Sequence, residues 1–237
     1  MVDTGDNLSL SEAELFNPNL EILPSPQRSL WEELKQTPQH FVLYGGTAMA
    51  LRLGHRQSED FDFFSNEGFE PTALLYEVPY LKEARIDQRG DNILTVVVHR
   101  RGHVKLSFFG DVRMNRVQEP DFALQDHLQV ASLLDLTATK LKTVQQRAEA
   151  KDYRDIAAAL ESGIVLSQAI AASRAIYGEI FNPMATLKAL TYFKDGNLPS
   201  LALNTQERLK TAAEGVKLEA LPLIPAMSGI TRGDLQQ

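Results

Sequence analysis

Asp60-Phe61-Asp62-Phe63 is the stretch of this chain best suited to chemistry. On an extended strand, residues two apart point the same way. Asp60 and Asp62 would then project side by side while Phe61 and Phe63 face the opposite side. Two carboxylates crowded on one face of an apolar strand repel each other unless a cation lies between them. Magnesium, or manganese, suits such a pair when a nucleotide phosphate completes the oxygen shell. Taken alone, an Asp-x-Asp is also what a solvent-facing strand edge displays, so the surrounding sequence has to decide.

Upstream, the apolar run Phe41–Tyr44 enters Gly45-Gly46-Thr47, and good helix formers continue to Leu53 before Gly54. Glycine lets the backbone approach a ligand, and a helix N-terminus offers free N–H groups and partial positive charge. That outlines a phosphate cradle, to which Thr47 adds a hydroxyl. A tight strand-to-helix turn would need the same glycines without any ligand. The combination is more specific than either part: a strand ending in Gly-Gly, a helix, then an acidic pair on the next strand.

Elements elsewhere have to hold these residues in place. The chain has 237 residues, 43% of them hydrophobic and 23% charged, enough for one sizeable core or two small lobes. Residues 1–16 read as a loose leader. Pro24 and Pro26 introduce a short helix over Arg28–Lys35, ended by Thr37-Pro38. Asn66–Pro71 reads as a loop. Arg85–Gln88, Ile93–His99 and Val104–Phe109 read as a meander of hairpins turning at Gly90-Asp91 and Arg101-Gly102. Ser132-Leu133-Leu134-Asp135 resembles a capping box and predicts a helix running to Arg147. Further helices are expected over Asp152–Glu161, Ser167–Tyr177, Pro183–Tyr192 and Thr205–Val216. Strands first and helices later predict an α+β fold, with a mixed-sheet lobe over residues 1–122 and an α-helical lobe over 123–237.

Composition narrows the chemistry. Lys and Arg number 24 against 31 Asp and Glu, a net charge of −7. A general nucleic-acid coat is excluded, since phosphate binding needs a positive surface, although a local basic cleft is compatible. The absence of cysteine excludes disulfides, thiolate nucleophiles and Cys-held zinc. His40, His55, His99, His103 and His127 show no metal-binding spacing, and His55 at most tunes the acidic site. Trp31, Phe63, Phe64, Phe108 and Phe109 read as core. Met1–Leu20 lacks the pattern of a signal peptide, and no run reaches the ~18 apolar residues of a membrane span. A cytoplasmic protein without a membrane partner is expected.

Gly45-Gly46-Thr47-Ala48 through Leu51, Gly54, Arg56, Ser58, Asp60 and Asp62-Phe63-Phe64 resembles the nucleotidyltransferase signature of the DNA polymerase β-like superfamily. More narrowly, it is similar to the AbiEii/AbiGii toxin family. The resemblance resumes at Lys140, Arg147, Lys151-Asp152-Tyr153 and Asp155, and covers residues 40–160. It implies a small mixed sheet carrying the metal carboxylates, packed against a helical lobe that helps bind the nucleotide. It implies a nucleotidyl group passing from an NTP to an acceptor hydroxyl, tRNA or another RNA among the acceptors. A toxin paired with an antitoxin, or a phage-defence component, is the implied setting. Gly45, Gly46, Thr47, Arg56, Ser58, Lys140, Arg147 and Asp152 are then the expected nucleotide-binding residues. Lys140 and Arg147, seven apart on the predicted helix, would share one face and hold a triphosphate. Asp152 and Asp155 either favour the start of the next helix or orient those two cations.

One departure matters. The resemblance implies a third carboxylate on a later strand, and Ser107 stands at that place in Val104–Phe109. Asp111 has the same strand parity and can substitute only if the strand bends at Gly110, which makes it a fourth candidate catalytic residue beside Asp60, Asp62 and Lys140. Without such a base, the alternative is a nucleotide-binding or partner-binding module of the same fold that lacks turnover.

Overall fold

The computed structural model describes residues 16–124 and 127–232, so nearly all of the expected leader lies outside the described residues. In chain order the first elements are α1 (Ser25–Leu30), β1 (Val42–Tyr44), α2 (Gly45–Leu53), β2 (Asp60–Phe64) and α3 (Pro71–Glu77). Next come β3 (Arg85–Gly90), β4 (Ile93–His99), β5 (His103–Phe109), β6 (Asp121–Ala123) and β7 (Leu128–Val130). The helices α4 (Leu133–Thr143), α5 (Ala150–Glu161), α6 (Leu166–Tyr177), α7 (Pro183–Ala189) and α8 (Leu203–Glu214) complete the described chain.

The strands form one mixed sheet of order β3-β4-β5-β2-β1-β7-β6. Its central strand is β2, parallel to β5 and antiparallel to β1, and β1 in turn runs parallel to β7. The expected meander is β3-β4-β5, two antiparallel hairpins. Phe61 and Phe63 alternate with the two aspartates and are fully buried. Phe63 stacks on Phe108 with centroids 5.0 Å apart, and Phe41 meets Phe108 edge-on at 5.2 Å. Trp31 packs against Phe61 from a 3₁₀ turn that continues α1. Truncating a buried aromatic of this kind costs about 3–5 kcal/mol, so this core holds β2 in register firmly.

The all-helical part begins at Leu133, because β6 and β7 return the chain to the sheet beyond residue 122. Each is three residues long, too short for alternation to announce it. Helices α4 to α6 serve two cores. Ala138, Ala159 and Ala172 pack on the sheet side, whereas Leu141, Ile156 and Ile170 centre a second cluster with Leu190 and Leu209. The last described segment crosses back to the sheet lobe, where Met227 pairs with Arg116 and the Ile230 N–H reaches Asn66 Oδ1 at 2.6 Å.

Helix α4 ends at Thr143, short of the expected Arg147. No glycine or proline stops it. Gln145 instead donates to the Asn182 carbonyl and Thr186 Oγ1 at the start of α7, and Arg147 turns towards α5. Tertiary bonds outweigh the few tenths of a kcal/mol per residue that helix propensity offers.

Candidate active site

Asp60, Asp62 and Phe64 share the face of β2 that looks away from the aromatic core. Register places Asp62 between Tyr44 on β1 and Ser107 on β5. Burial and the adjacent Asp60 charge push the Asp62 carboxyl above the usual carboxylate range, against the pull of Lys105, Lys140 and a hydrogen bond with Ser107. The mutual repulsion expected of the pair is therefore present in the fold.

Gly45 begins α2 with φ +76°. A Cβ there would lie 2.7 Å from Asp62 Oδ2, and one at Gly46 would lie 2.5 Å from Arg56 Nη2 and 3.2 Å from Ser58 Oγ. Gly45 is thus required by its left-handed backbone, and a side chain at Gly46 would have to displace the Arg56 guanidinium. Thr47 has a different role from the one expected. It is buried, and its hydroxyl bonds Ser58 Oγ and the Asp60 carbonyl, clamping α2 to the start of β2. It supports the cradle from behind.

The helical side is organised by two aspartates with no solvent exposure. Asp152 receives Lys140 Nζ at 2.7 Å and Arg147 Nε at 2.8 Å. Asp155 receives Lys140 Nζ at 2.8 Å, Arg56 Nε and Nη2 at 2.6 and 2.9 Å, and faces His55 Nε2 at 2.7 Å. Burial alone would raise both carboxyls. At Asp155 the His55 and Arg56 hydrogen bonds, with the Lys140 charge, hold the group far below the usual range. At Asp152 the Arg147 bond and the Lys140 charge do the same more weakly. Of the two roles open to these acids, orienting the cations is the one seen: Asp152 lies behind the cations, without facing the cleft. Lys140 and Arg147 come together through Asp152, not through two turns of one helix.

The cleft between these walls has a volume of about 790 Å³. Gly45, Gly46, Arg56, Ser58, Asp60, Asp62, Lys140 and Arg147 all line it. Lys151 of the family resemblance lines it too, as do Tyr44, Thr139, Lys142, Thr143, Gln146 and Tyr177, which sequence reasoning missed as site residues. For Thr139, Lys142 and Thr143 the available signal was their spacing, since i, i+3 and i+4 residues share a helix face. Tyr44 meets Phe64 edge-on at 5.5 Å. One part of the cleft is therefore aromatic and another cationic.

Asp111 is not brought to this cleft. The strand ends at Phe109, the Asp111 N–H bonds the Glu67 carbonyl at 3.0 Å, and the residue is exposed with φ +52°. The chain turns away at Gly110, so strand parity no longer carries Asp111 towards Asp62. Asp111→Asn is accordingly expected to leave nucleotide binding and any turnover at wild-type levels. A loss of tenfold or more in steady-state rate would place Asp111 back in the chemistry.

The descriptive model of the family "Nucleotidyl transferase AbiEii toxin, Type IV TA system" matches residues 29–222. The chain belongs to the AbiEii family. That match spans both walls of the cleft, from β1 through the buried aspartates of α5. An Aquifex aeolicus protein of unassigned function is 29% identical to it over 119 residues, which is 49% of this chain and 55% of that protein. The chain thus spans about half the length of that curated relative. The structure of MenT4, a nucleotidyltransferase toxin from Mycobacterium tuberculosis, superimposes with a TM-score of 0.57 at 16% identity, covering 81% of this chain and 83% of that one. The α+β arrangement of sheet and helices is the fold of that toxin.

The residues of this AbiEii protein fit a divalent cation held with help from a ligand. Among the described residues no group of three or more His, Asp or Glu could hold a metal. The β2 pair supplies two carboxylates under mutual repulsion, beside a glycine turn that leaves room for phosphate oxygens to supply the rest.

Proposed function

We propose that this chain transfers a nucleotidyl group from an NTP to an acceptor hydroxyl. The observation that carries the reading is the opposition of two walls: repelling carboxylates beside a glycine turn, and cations fixed by buried aspartates. Asp60 and Asp62 would hold magnesium or manganese, which when bound neutralises phosphate charge near the reacting phosphorus. The Gly45-Gly46 turn admits the phosphates, and Arg147 and Lys140 balance their charge. Tyr44 and Phe64 offer an apolar surface to the nucleoside. The acceptor oxygen bonds to the α-phosphorus, the bond to the β-phosphate oxygen breaks, and pyrophosphate leaves. The strand beside Asp62 offers Ser107 and no carboxylate, so the hydroxyl proton leaves through water, and slow turnover is the expected consequence.

Family membership supports a toxin role, with RNA, tRNA included, as acceptor and an antitoxin as genetic partner, acting in the cytoplasm where both substrates occur. Among the described residues no single helix is long and apolar enough to cross a membrane. The test is incubation with α-labelled NTPs, magnesium and total RNA. Label recovered in RNA supports transfer. Thermal stabilisation by NTP without label supports the second reading, a nucleotide-binding module, which Ser107 favours. A protein that shows neither label transfer nor stabilisation would refute both readings.

Arg147 is the cation best separated from folding, because its side chain is 44% exposed. Arg147→Ala is expected to weaken NTP binding about tenfold, the ~1.4 kcal/mol of one charge-assisted contact, and to lower the melting temperature less than Lys140→Ala, because Lys140 still pairs with Asp152. Titration calorimetry checks this, and unchanged affinity would leave Arg147 as a surface partner of Asp152 only.

A further inference from the structure

A second cavity, of about 220 Å³, opens on the other side of Asp60 and is lined by Gln27, Glu59, Asp60, Arg85, His103 and Lys105. Glu59 and Asp60 line both it and the main cleft, so the two spaces meet at the carboxylate pair. Sheet order explains the geometry. Gly45-Gly46 flanks β2 on its β1 side, whereas β5, β4 and β3 extend from the opposite side. Register sets Lys105 beside Asp60, Val97 beside Lys105 and Arg85 beside Val97. Directly opposed residues share a sheet face, so Asp60, Lys105, Val97 and Arg85 form one row across four strands.

The two cations of that row are available. Lys105 is exposed and forms no ion pair among the described residues. Arg85 meets Asp87 at 3.0 Å with its side chain 70% exposed, a surface pair that contributes little and is readily exchanged. Below them, buried Gln27 donates from Nε2 to the Glu59 carbonyl at 2.8 Å, fixing the residue before Asp60. Its Oε1 is buried and has no hydrogen-bond partner in the protein. Lys105 and Arg85 thus place two cations in the same cavity as the carboxylates of Glu59 and Asp60.

Nucleotidyl transfer is an in-line displacement in which the acceptor enters opposite the departing pyrophosphate. With the triphosphate on the Gly45 and Lys140 side of β2, entry falls on the β5 side. We infer that the Lys105–Arg85 row is the acceptor subsite, holding the terminal phosphodiesters of a single-stranded RNA 3′ end so that its hydroxyl meets the α-phosphorus beside Asp60. This inference rests on the nucleotidyl-transfer reading above.

The experiment compares wild type with Lys105→Gln, Arg85→Gln and the double variant. Anisotropy of a labelled short single-stranded oligoribonucleotide with a free 3′-hydroxyl is followed across a salt series, and NTP-induced thermal stabilisation is measured in parallel. Each substitution is expected to weaken RNA binding and lower the slope of log affinity against log salt by about one, with NTP stabilisation retained. Equal RNA affinity and salt slope in the double variant, with NTP still stabilising every protein, would overturn the subsite alone. Label passing to protein and not to RNA would overturn it as well. A wild type neither stabilised by NTP nor active would overturn the transfer reading and the subsite with it.

Discussion

Asp62→Asn is expected to reduce nucleotidyl transfer by about a thousandfold or more, ~4 kcal/mol of transition-state stabilisation, while the ligand-free protein melts at the same or a higher temperature. The two outcomes share one cause. Burial and Asp60 raise the Asp62 carboxyl, so its ionised form costs the folded protein stability at every pH above that raised value. An uncharged amide removes this cost together with the charge that a cation needs. Asp60→Asn should behave alike. Label-transfer rates and thermal melts of both variants, without nucleotide or metal, are the measurement. Wild-type turnover in the two variants would refute the site on β2, and a large drop in melting temperature would make the aspartates structural.

Asp155→Ala is expected to have the largest effect on stability. Asp155 is wholly buried and is shared by Arg56, Lys140 and His55, so it ties the loop after α2 to α4 and α5. Removing one member of a buried ionic cluster costs about 3–5 kcal/mol, because the remaining charges stay desolvated without a partner. For a chain of this size that corresponds to a fall in melting temperature of about 10 °C. Lys140→Ala strikes the same cluster and should be destabilising too, which separates it from Arg147→Ala. The carboxyls of Asp152 and Asp155 lie below their unfolded values, so their contribution is complete above the unfolded carboxylate value of about 3.9 and is lost as pH falls below it. Wild type should therefore lose stability towards acid in that window, and Asp155→Ala should lose less. A melting temperature unaffected by the substitution would show that the cluster does not hold the lobes together.

Much of the candidate site's carboxylate face was legible without a structure, for reasons that are local. Alternation in Asp60-Phe61-Asp62-Phe63 sorts carboxylates from core aromatics whatever the rest of the chain does, and a Gly-Gly pair after an apolar run marks a backbone that something must approach. Both readings hold in the fold, where Phe61 and Phe63 are buried and Asp62 faces Gly45. The strands from Ile93 to Phe109 were equally plain, since β-branched and aromatic residues at period two leave little else to form.

The tertiary structure decided the rest. Helix propensity favours continuing from Lys140 to Arg147, yet the helix ends at Thr143 because Gln145 and Arg147 find partners on α7 and α5. Parity along β5 pointed from Ser107 to Asp111, but parity lapses where the ladder ends, and the Asp111 N–H bonds the Glu67 carbonyl instead. The Thr47 hydroxyl turned inwards to Ser58, and Asp155, about a hundred residues from Arg56 in sequence, became its partner. Spacing along a chain reports which side of an element a residue occupies, because that depends on a few backbone angles. Which residue neutralises a buried charge depends on contacts between distant segments, and those exist only once both cores have formed. For this chain the sequence by itself determined the carboxylate face of β2 and the glycine turn beside it. Folding determined which cations complete the site and what holds them there.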